Sequence, residues 1–218
     1  FGTSPVIGDT ALTELTVTPG NQSFRAIDNV LYNYEVTQLV GMSSALAGDL
    51  TLPDTLTSIA DFALQKCPYI TSVTLPSGLT YVGSSNFMVF PLLTRAVFTG
   101  ACPEFHSYCF DGTPSTLVVY YPLRYESSWA SYAITSKQAY INVTWELGDG
   151  TVAATTMENV NANLIAAPTD PTRDGYAFAG WYDGAAADAL PWDFATRTVS
   201  DDITLYAHWT ANAYTIAF

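Results

Sequence analysis

Short segments that alternate apolar and polar residues recur at a constant interval in the first half of the chain. Leu50-Thr51-Leu52 is followed by Val73-Thr74-Leu75, then by Ala96-Val97-Phe98 and by Val119-Tyr120-Tyr121, so that equivalent residues are 23 positions apart. Such alternation is typical of a short β-strand with one buried face. One unit of this size cannot bury its apolar face alone, so the repeat predicts a solenoid of stacked coils.

Other apolar positions share this interval, and they predict the interior of the solenoid. We expect five apolar side chains to fill one coil and the equivalent five, one interval further on, to fill the next. The two sets are Leu50, Leu52, Leu56, Ile59 and Leu64, and Val73, Leu75, Leu79, Val82 and Phe87.

The middle residue of each strand segment points away from this interior, because side chains alternate across a strand. Thr51, Thr74, Val97 and Tyr120 are therefore expected to form an outward ladder. These four and Arg95 are the candidate binding residues of the chain. An ordinary ladder that only faces solvent is the alternative interpretation.

The region before the regular repeats is irregular. Leu12, Leu15 and Val17 repeat the strand pattern, and a long excursion follows. Within it, Asp28-Asn29 separates two apolar segments, which predicts a hairpin turn.

The interval is lost after Pro122, where the solenoid must be closed. Tyr125, Trp129 and Tyr132 are spaced as i, i+4 and i+7, which predicts one face of a short helix. A cap over the open end of the solenoid is the simpler interpretation of these aromatic residues. A platform on which sugars stack is the alternative.

About residues 1–135 resemble the BspA-type leucine-rich repeat. Residues 72–83, with the sequence SVTLPSGLTYVG, match the first part of that repeat, and residues 59–67 match its second half. The resemblance implies a leucine-rich-repeat solenoid with a C-terminal cap over residues 1–136. It also places Cys67 in a column of small buried residues and implies a bacterial cell-surface or secreted protein.

The second half of the chain predicts longer strands. Apolar residues occupy every second position from Ile141 to Leu147 and again from Ile203 to Trp209, with the turn sequence Gly148-Asp149-Gly150 after the first segment. His208 falls between the apolar positions, so we expect it to face solvent without a partner.

Residues 139–210 resemble the internalin-type B repeat, also called the Listeria–Bacteroides repeat. The matching motifs are GYAFAGWY at 175–182 and DITLYAHW at 202–209. The resemblance implies a small, mostly β module related to the β-grasp. Its core would be formed by Tyr176, Phe178, Trp181 and Trp209, and Gly180 would permit close backbone approach.

The last residues suggest that the chain continues into another module. The segment at 214–218 repeats the pattern of residues 141–145, so residues 211–218 are expected to begin a further B repeat. Because the first residue is Phe1, the chain is expected to be part of a longer protein.

Charge narrows the range of partners. The chain of 218 residues has 7 basic and 20 acidic residues, a net charge of −13 and a pI near 4.1. A surface of this sign repels phosphate backbones, which argues against nucleic-acid binding. No apolar run reaches the ~18–20 residues that span a bilayer, so we expect no membrane insertion in this fragment.

The sequence offers little for catalysis or for a cofactor. His106 and His208 are the only histidines, and no motif joins either to a nucleophile. The three cysteines lack CxxC spacing, and Cys102 and Cys109 could pair in an oxidising compartment, although small buried apolar residues are the simpler interpretation. We therefore expect neither an enzyme nor a bound cofactor.

Four acidic residues of the second half, Asp170, Asp174, Asp183 and Asp188, raise the question of a cation site. They match no EF-hand loop. A solvated surface is the simpler interpretation, and weak cation binding is the alternative.

Two classes of function follow. The first is an adhesin-type binding protein whose solenoid contacts a protein or glycan on a host or neighbouring cell surface. The second is a structural stalk that holds a distal domain away from the cell wall. The first predicts that the outward ladder binds, whereas the second predicts that no face binds specifically.

Overall fold

The structure is a computed structural model that describes residues 12–134 and 136–214. It divides into two compact units, of which the first ends at Gln138 and the second begins at Ala139. The domain bounds 1–136 and 139–210 stay predictions. Residues 215–218, the second half of the segment 211–218 where a further repeat is expected, lie outside the described part.

The first unit consists of short strands closed by one small helix. Its strands are β1 (Phe24–Ile27), β2 (Val30–Asn33), β3 (Gln38–Met42), β4 (Ala47–Thr51), β5 (Ser58–Ile59), β6 (Tyr69–Leu75), β7 (Tyr81–Val82), β8 (Arg95–Phe98), β9 (Glu104–Phe105) and β10 (Val118–Pro122), followed by a 3₁₀ turn (Leu123–Tyr125) and helix α1 (Glu126–Ala130). No helix among the described residues is both long and apolar enough to cross a membrane.

One sheet of this unit contains the segments that recur at the constant interval. Strands β4, β6, β8 and β10 run parallel and pair in that order. Their register places Thr51, Thr74, Val97 and Tyr120 directly opposite one another across the four strands. The sequence interval is thus the step from one coil to the next, and the predicted solenoid is confirmed.

The interior of the solenoid follows the same columns. Leu52, Leu75, Phe98 and Tyr121 are all buried, as are the predicted core residues Leu56, Ile59, Leu64, Val73, Leu79, Val82 and Phe87. Leu50 differs, because it is only half-buried. It lies on β4, the edge strand of its sheet, so no coil of this sheet covers it on one side.

A second sheet lines the other side of the coils. Strands β3, β5, β7 and β9 pair in parallel. The antiparallel hairpin of β1 and β2 extends this sheet beyond β3. Asp28 and Asn29 form the hairpin turn with φ of 49° and 63°, as in a type I′ turn, which confirms the predicted hairpin.

The prediction of a strand at Leu12, Leu15 and Val17 is wrong, because residues 12–18 form no strand. Only Leu15 of the three is buried. Its backbone N–H donates to the side-chain carbonyl of Asn29 at 2.9 Å, so a side chain takes the place of a strand partner.

The helix after β10 covers the end of the apolar interior. The Trp129 ring is fully buried and stacks on Tyr121 with 5.2 Å between ring centroids. Tyr132 lies 4.5 Å from Phe105. A fully buried ring offers no face to a sugar, so Trp129 acts as a cap and the sugar-platform alternative is wrong for this residue.

The second unit is a mixed sheet of four strands in its described part. They are β11 (Lys137–Glu146), which begins at the end of the first unit, β12 (Val152–Asn159), β13 (Tyr176–Tyr182) and β14 (Ile203–Ala211). β11 pairs antiparallel with β12 and parallel with β14, and β14 pairs antiparallel with β13. This sheet confirms the small, mostly β, β-grasp-like module that the resemblance implies.

The core of this unit differs from the expected one. Of the four signature aromatic residues only Trp181 is buried, at 6% exposed, whereas Tyr176 is 40% exposed and Phe178 and Trp209 are half-buried. Trp181 packs edge-on against the buried Trp145 at 4.8 Å. The remaining buried apolar residues of the unit come mostly from β11 and β14, namely Ala139, Tyr140, Ile141, Val143, Val160, Ile165, Val199, Leu205 and Ala207.

The role expected for Gly180 is also different. Its φ of +126° is a conformation that favours glycine, and it lies at a β-bulge opposite His208. A Cβ at this position would meet Tyr182 only at 3.6 Å, an ordinary contact. Close backbone approach occurs instead at Gly148, where a Cβ would collide with the carbonyl oxygen of Ala207.

Candidate functional site

The five candidate binding residues lie together on one face of the sheet formed by β4, β6, β8 and β10, which we call the long-strand sheet. Thr51, Thr74, Val97 and Tyr120 form one row across the four strands, and Arg95 stands two residues before Val97 on β8. Residues two apart on a strand share a face. We call this set, Thr51, Thr74, Arg95, Val97 and Tyr120, the strand surface.

Exposure along the strand surface is uneven. Thr51 is exposed, and Thr74, Arg95 and Tyr120 are half-buried. Val97 is only 6% exposed, so the expectation that it faces solvent is wrong. The larger side chains of Tyr120 and Arg95 flank it on the same face, and long side chains readily cover a short apolar neighbour.

Two of these side chains form an ordered pair. The Arg95 guanidinium carbon lies 4.7 Å above the centroid of the Tyr120 ring. Such stacking fixes a cation and an aromatic plane together. Asp49 stands two residues before Thr51 on β4. Its carboxylate accepts a hydrogen bond from the Thr71 hydroxyl at 3.1 Å. The strand surface therefore presents threonine hydroxyls and a stacked arginine–tyrosine pair, with the carboxylate of Asp49 beside it.

A groove lies on the opposite sheet, formed by β3, β5, β7 and β9, which we call the short-strand sheet. The sequence did not lead us to predict this groove. Its volume is about 450 Å³, and it is lined by Gln38, Ser58, Ala60, Asp61, Tyr81 and His106. We call these six residues the tyrosine groove. The signal available in the sequence was the interval itself, because Ser58 and Tyr81 are separated by exactly one repeat.

A serine and a histidine meet beside this groove. The Ser84 hydroxyl lies 2.5 Å from Nδ1 of His106. A catalytic pair needs a third group that orients the histidine. Asp61 accepts the backbone N–H of Ser84 at 2.8 Å instead, and no described carboxylate is hydrogen-bonded to the His106 ring. The pair thus holds two hydrogen-bonding groups in place beside the groove.

The three cysteines are free thiols, so the pairing of Cys102 with Cys109 does not occur in this structure. Burial raises the pKa of Cys67 and of Cys109 to about 12, and it raises that of Cys102 to about 11. Because the thiolate is the reactive form, these cysteines are poor nucleophiles at neutral pH. Cys67 and Cys109 are buried, as the column of small buried residues implies for Cys67.

His208 is neither fully exposed nor without a partner, which corrects its predicted environment. The ring stacks on Tyr182 with 3.9 Å between centroids. Its Nε2 lies 2.9 Å from the carbonyl oxygen of Gly184. The loop after β13 folds over this side of the sheet, which a pattern of alternation cannot reveal.

The acidic residues of the second unit do not come together around a cation. In the part of the chain that the structure describes, no group of three or more His, Cys, Asp or Glu side chains could hold a metal ion. Asp183 is engaged by Arg197 at 2.5 Å and by the backbone N–H of Leu190 at 2.9 Å. These contacts lower the pKa of Asp183, with the Arg197 hydrogen bond as the largest cause.

Comparison with known families defines the class of both units. Residues 43–133 match the model of the BspA type leucine-rich repeat region in six copies. Residues 142–208 match the Listeria–Bacteroides repeat domain. The chain therefore contains a BspA-type leucine-rich repeat region followed by a Listeria–Bacteroides repeat domain, two repeat-type modules.

Individual relatives share part of this chain. Internalin H of Listeria monocytogenes is 52% identical over 65 residues, which is 29% of this chain and 12% of that protein. A putative membrane protein and a putative Gly-rich membrane protein of Evansella cellulosilytica are 47% and 48% identical over 58 residues, or 26% of this chain. The chain spans only 8% and 6% of the length of those two proteins.

Proposed function

We propose that the chain is a section of a bacterial cell-surface or secreted adhesin-type protein. In this proposal the strand surface of the solenoid binds a protein or glycan on a host or neighbouring cell. The observation that carries it is the register of the four parallel strands, which aligns hydroxyl, aromatic and cationic side chains in one continuous patch.

Family and relatives support this proposal. Both family models describe repeat modules, and repeat solenoids commonly use extended regular faces to bind partners. One relative is named as an internalin and two are named as membrane proteins. These names favour a location at the cell surface.

The anchor of the proposed surface is the stacked pair of Arg95 and Tyr120. Arginine and tyrosine are among the residue types that are enriched at the energetic centre of an interface. Their stacking reduces the freedom that each would lose on binding, so they are prepared for contact with a partner. The rest of the row, mainly threonine, would supply shape and hydrogen bonds.

The test uses fluorescently labelled residues 1–218, with cultured epithelial cells and with cultured bacterial cells, read by flow cytometry. The double variant Arg95→Ser/Tyr120→Ser should reduce cell binding about tenfold or more, because hot-spot residues cost about 2 kcal/mol or more. The matched control is Arg25→Ser/Tyr34→Ser, which removes another stacked pair of the same residue types, 4.2 Å apart, outside the strand surface.

Equal binding by the Arg95/Tyr120 variant and the wild type would remove the strand surface from consideration. Absence of binding by the wild type would contradict the adhesive role and would favour the structural stalk. A thermal unfolding curve of each variant shows that lost binding does not reflect lost folding.

A further inference from the structure

The tyrosine groove lies on the short-strand sheet, whereas the strand surface lies on the long-strand sheet. The register of β3, β5, β7 and β9 places Gln38, Ser58, Tyr81 and Glu104 in one row. Four successive coils thus contribute an amide, a hydroxyl, an aromatic ring and a carboxylate. The groove beside this row has a volume of about 450 Å³, which is within the usual range for small-ligand sites.

Tyr81 is the aromatic wall of this groove. It is half-buried at the centre of the row, between Ser58 and Glu104. Partial burial, followed by the negative charges of Asp61 and Glu104, raises the pKa of Tyr81. At neutral pH the phenol is a hydrogen-bond donor, as tyrosine ordinarily is, and its ring has an apolar face.

The polar groups around Tyr81 are held in fixed positions. Asp61 Oδ1 accepts the backbone N–H of Ser84 at 2.8 Å, and the Ser84 hydroxyl bonds to His106 at 2.5 Å. Ser85, the next residue, has a φ of +54°, so the chain turns sharply after Ser84. Groups that are ordered before binding lose less entropy when a ligand arrives.

We propose that the tyrosine groove binds a neutral saccharide. A sugar ring has an apolar C–H face, which packs on an aromatic ring, and a rim of hydroxyls, which needs donors and acceptors in the same plane. Tyr81 supplies the ring face, and Gln38, Ser58, Asp61 and His106 supply the polar partners. Asp61, Glu104 and the net charge of −13 disfavour an anionic sugar.

The experiment measures binding of glucose, galactose, mannose and N-acetylglucosamine at millimolar concentration, by saturation-transfer NMR and calorimetry on residues 1–218. Glucuronate and N-acetylneuraminate serve as anionic probes. The wild type should bind at least one neutral sugar more tightly than either anion. Tyr81→Ala should weaken that binding about tenfold or more, because it removes the stacking face.

Tyr69→Ala is the matched control, because Tyr69 is an exposed tyrosine outside the groove, and it should bind like the wild type. If Tyr81→Ala proves unfolded in a thermal scan, Gln38→Ala, which removes the amide at the end of the row, decides the question by a several-fold loss. No binding of any neutral sugar, equal binding by the folded Tyr81 variant, or preference for an anion would overturn the proposal.

This site and the strand surface are tested separately. The Arg95→Ser/Tyr120→Ser variant should retain saccharide binding, and Tyr81→Ala should retain binding to cells if the strand surface alone mediates it. Failure of one proposal therefore leaves a measurable result for the other.

Discussion

The two units of this chain bury their apolar residues in different ways. In the first unit equivalent inward-facing residues of neighbouring coils are buried together, as Leu52, Leu75 and Phe98 are. In the second unit the signature aromatic residues diverge, with Trp181 buried and Tyr176 largely exposed. The difference shows that a repeated position carries more information about burial than a motif that occurs once.

The physical reason lies in what covers each side chain. In a solenoid the neighbours above and below a residue are copies of that residue, so apolar columns form a continuous core. In the single-copy unit each aromatic residue meets different elements. Trp181 meets Trp145 on β11, whereas Tyr176 meets the guanidinium of Arg173 at 4.2 Å near the surface.

The largest expected effect comes from removing one ring from a solenoid column. Phe87 is fully buried and stacks on Phe110 with 4.8 Å between centroids. Phe87→Ala should lower the free energy of unfolding by about 3–5 kcal/mol, because it leaves a cavity between coils. Tyr176→Ala in the second unit should cost less than about 1 kcal/mol. Urea denaturation followed by circular dichroism measures both, and equal losses would contradict the contrast.

A second comparison concerns two asparagines. Asn86 is buried, where its side chain accepts the N–H of Leu64 at 3.0 Å and donates to the carbonyls of Ala60 and Gly83 at 3.0 and 2.8 Å. Asn86→Ala should lower the free energy of unfolding by about 1–3 kcal/mol, because it leaves buried backbone groups without a hydrogen-bond partner.

The control for Asn86 is Asn142→Ala in the second unit. Asn142 donates to the exposed carboxylate of Asp202 at 3.2 Å, where water can replace the bond. Its loss should cost less than about 1 kcal/mol. If denaturant unfolding gave the two variants the same stability, the hydrogen bonds between coils would not stabilise the solenoid as described.

Adding a methyl group where the backbones of two coils touch should have a smaller effect on stability. A Cβ on Gly100 would collide with the backbone carbonyl oxygen of Ser77 in the preceding coil, whereas one on Gly78 would find its nearest neighbour, the carbonyl oxygen of Leu56, at 3.7 Å. Gly100→Ala should therefore destabilise the protein by about 1–3 kcal/mol, as overpacking does. Gly78→Ala should be close to neutral. If the midpoint of unfolding shifted by the same amount in both variants, the close contact between Gly100 and Ser77 would not constrain the spacing of the coils.

The two units should also lose stability at opposite extremes of pH, the first at alkaline pH and the second at acid pH. In the first unit burial raises the pKa of Cys67 and Cys109 to about 12, from ordinary values near 9. Their contribution to stability is complete below pH 9 and is lost as pH rises toward 12, because the unfolded thiols ionise first. This unit should lose stability at alkaline pH.

In the second unit hydrogen bonds lower the pKa of three exposed carboxyls. Thr151, Arg197 and Thr196 side chains are the main partners of Asp149, Asp183 and Asp193, respectively. Their contribution is present above the ordinary pKa of 3.8 and is lost as pH falls below it. Methyl NMR spectra in urea at acid, neutral and alkaline pH follow both units, and the same pH response in both would contradict this difference.

The repeat interval was sufficient to predict the solenoid, its columns and the row that forms the strand surface. It could not predict that Val97 is covered, because that depends on the size of Tyr120 and Arg95 beside it. Asn86 was missed because its equivalents at the same interval are Ala63 and Cys109, which are not polar partners for a backbone. The interval predicts the position of a side chain in the coil, but it does not predict the contacts of a residue type that occurs in only one coil.

In the second unit, alternation predicted β11 and β14, but it predicted neither β12 and β13 nor the loops. His208 lies beside Tyr182 and Gly184 because the chain after β13 returns over the sheet. The tyrosine groove was missed for a related reason. Apart from Gln38 on β3, its lining residues lie in or just after the two-residue strands β5, β7 and β9, which are too short to show alternation within a strand.

The most direct test of the solenoid is the deletion of one coil. Removing residues 73–95 joins Ser72 to Ala96, the residue that follows its partner Arg95 on the next strand, and leaves the remaining coils in register. Thermal unfolding by circular dichroism should show a folded β protein with a single, lower transition for the shortened unit. Removing only residues 73–84, about half a coil, should abolish that transition. If both deletions unfold the unit alike, or if both leave it intact, the stacked-coil account is contradicted.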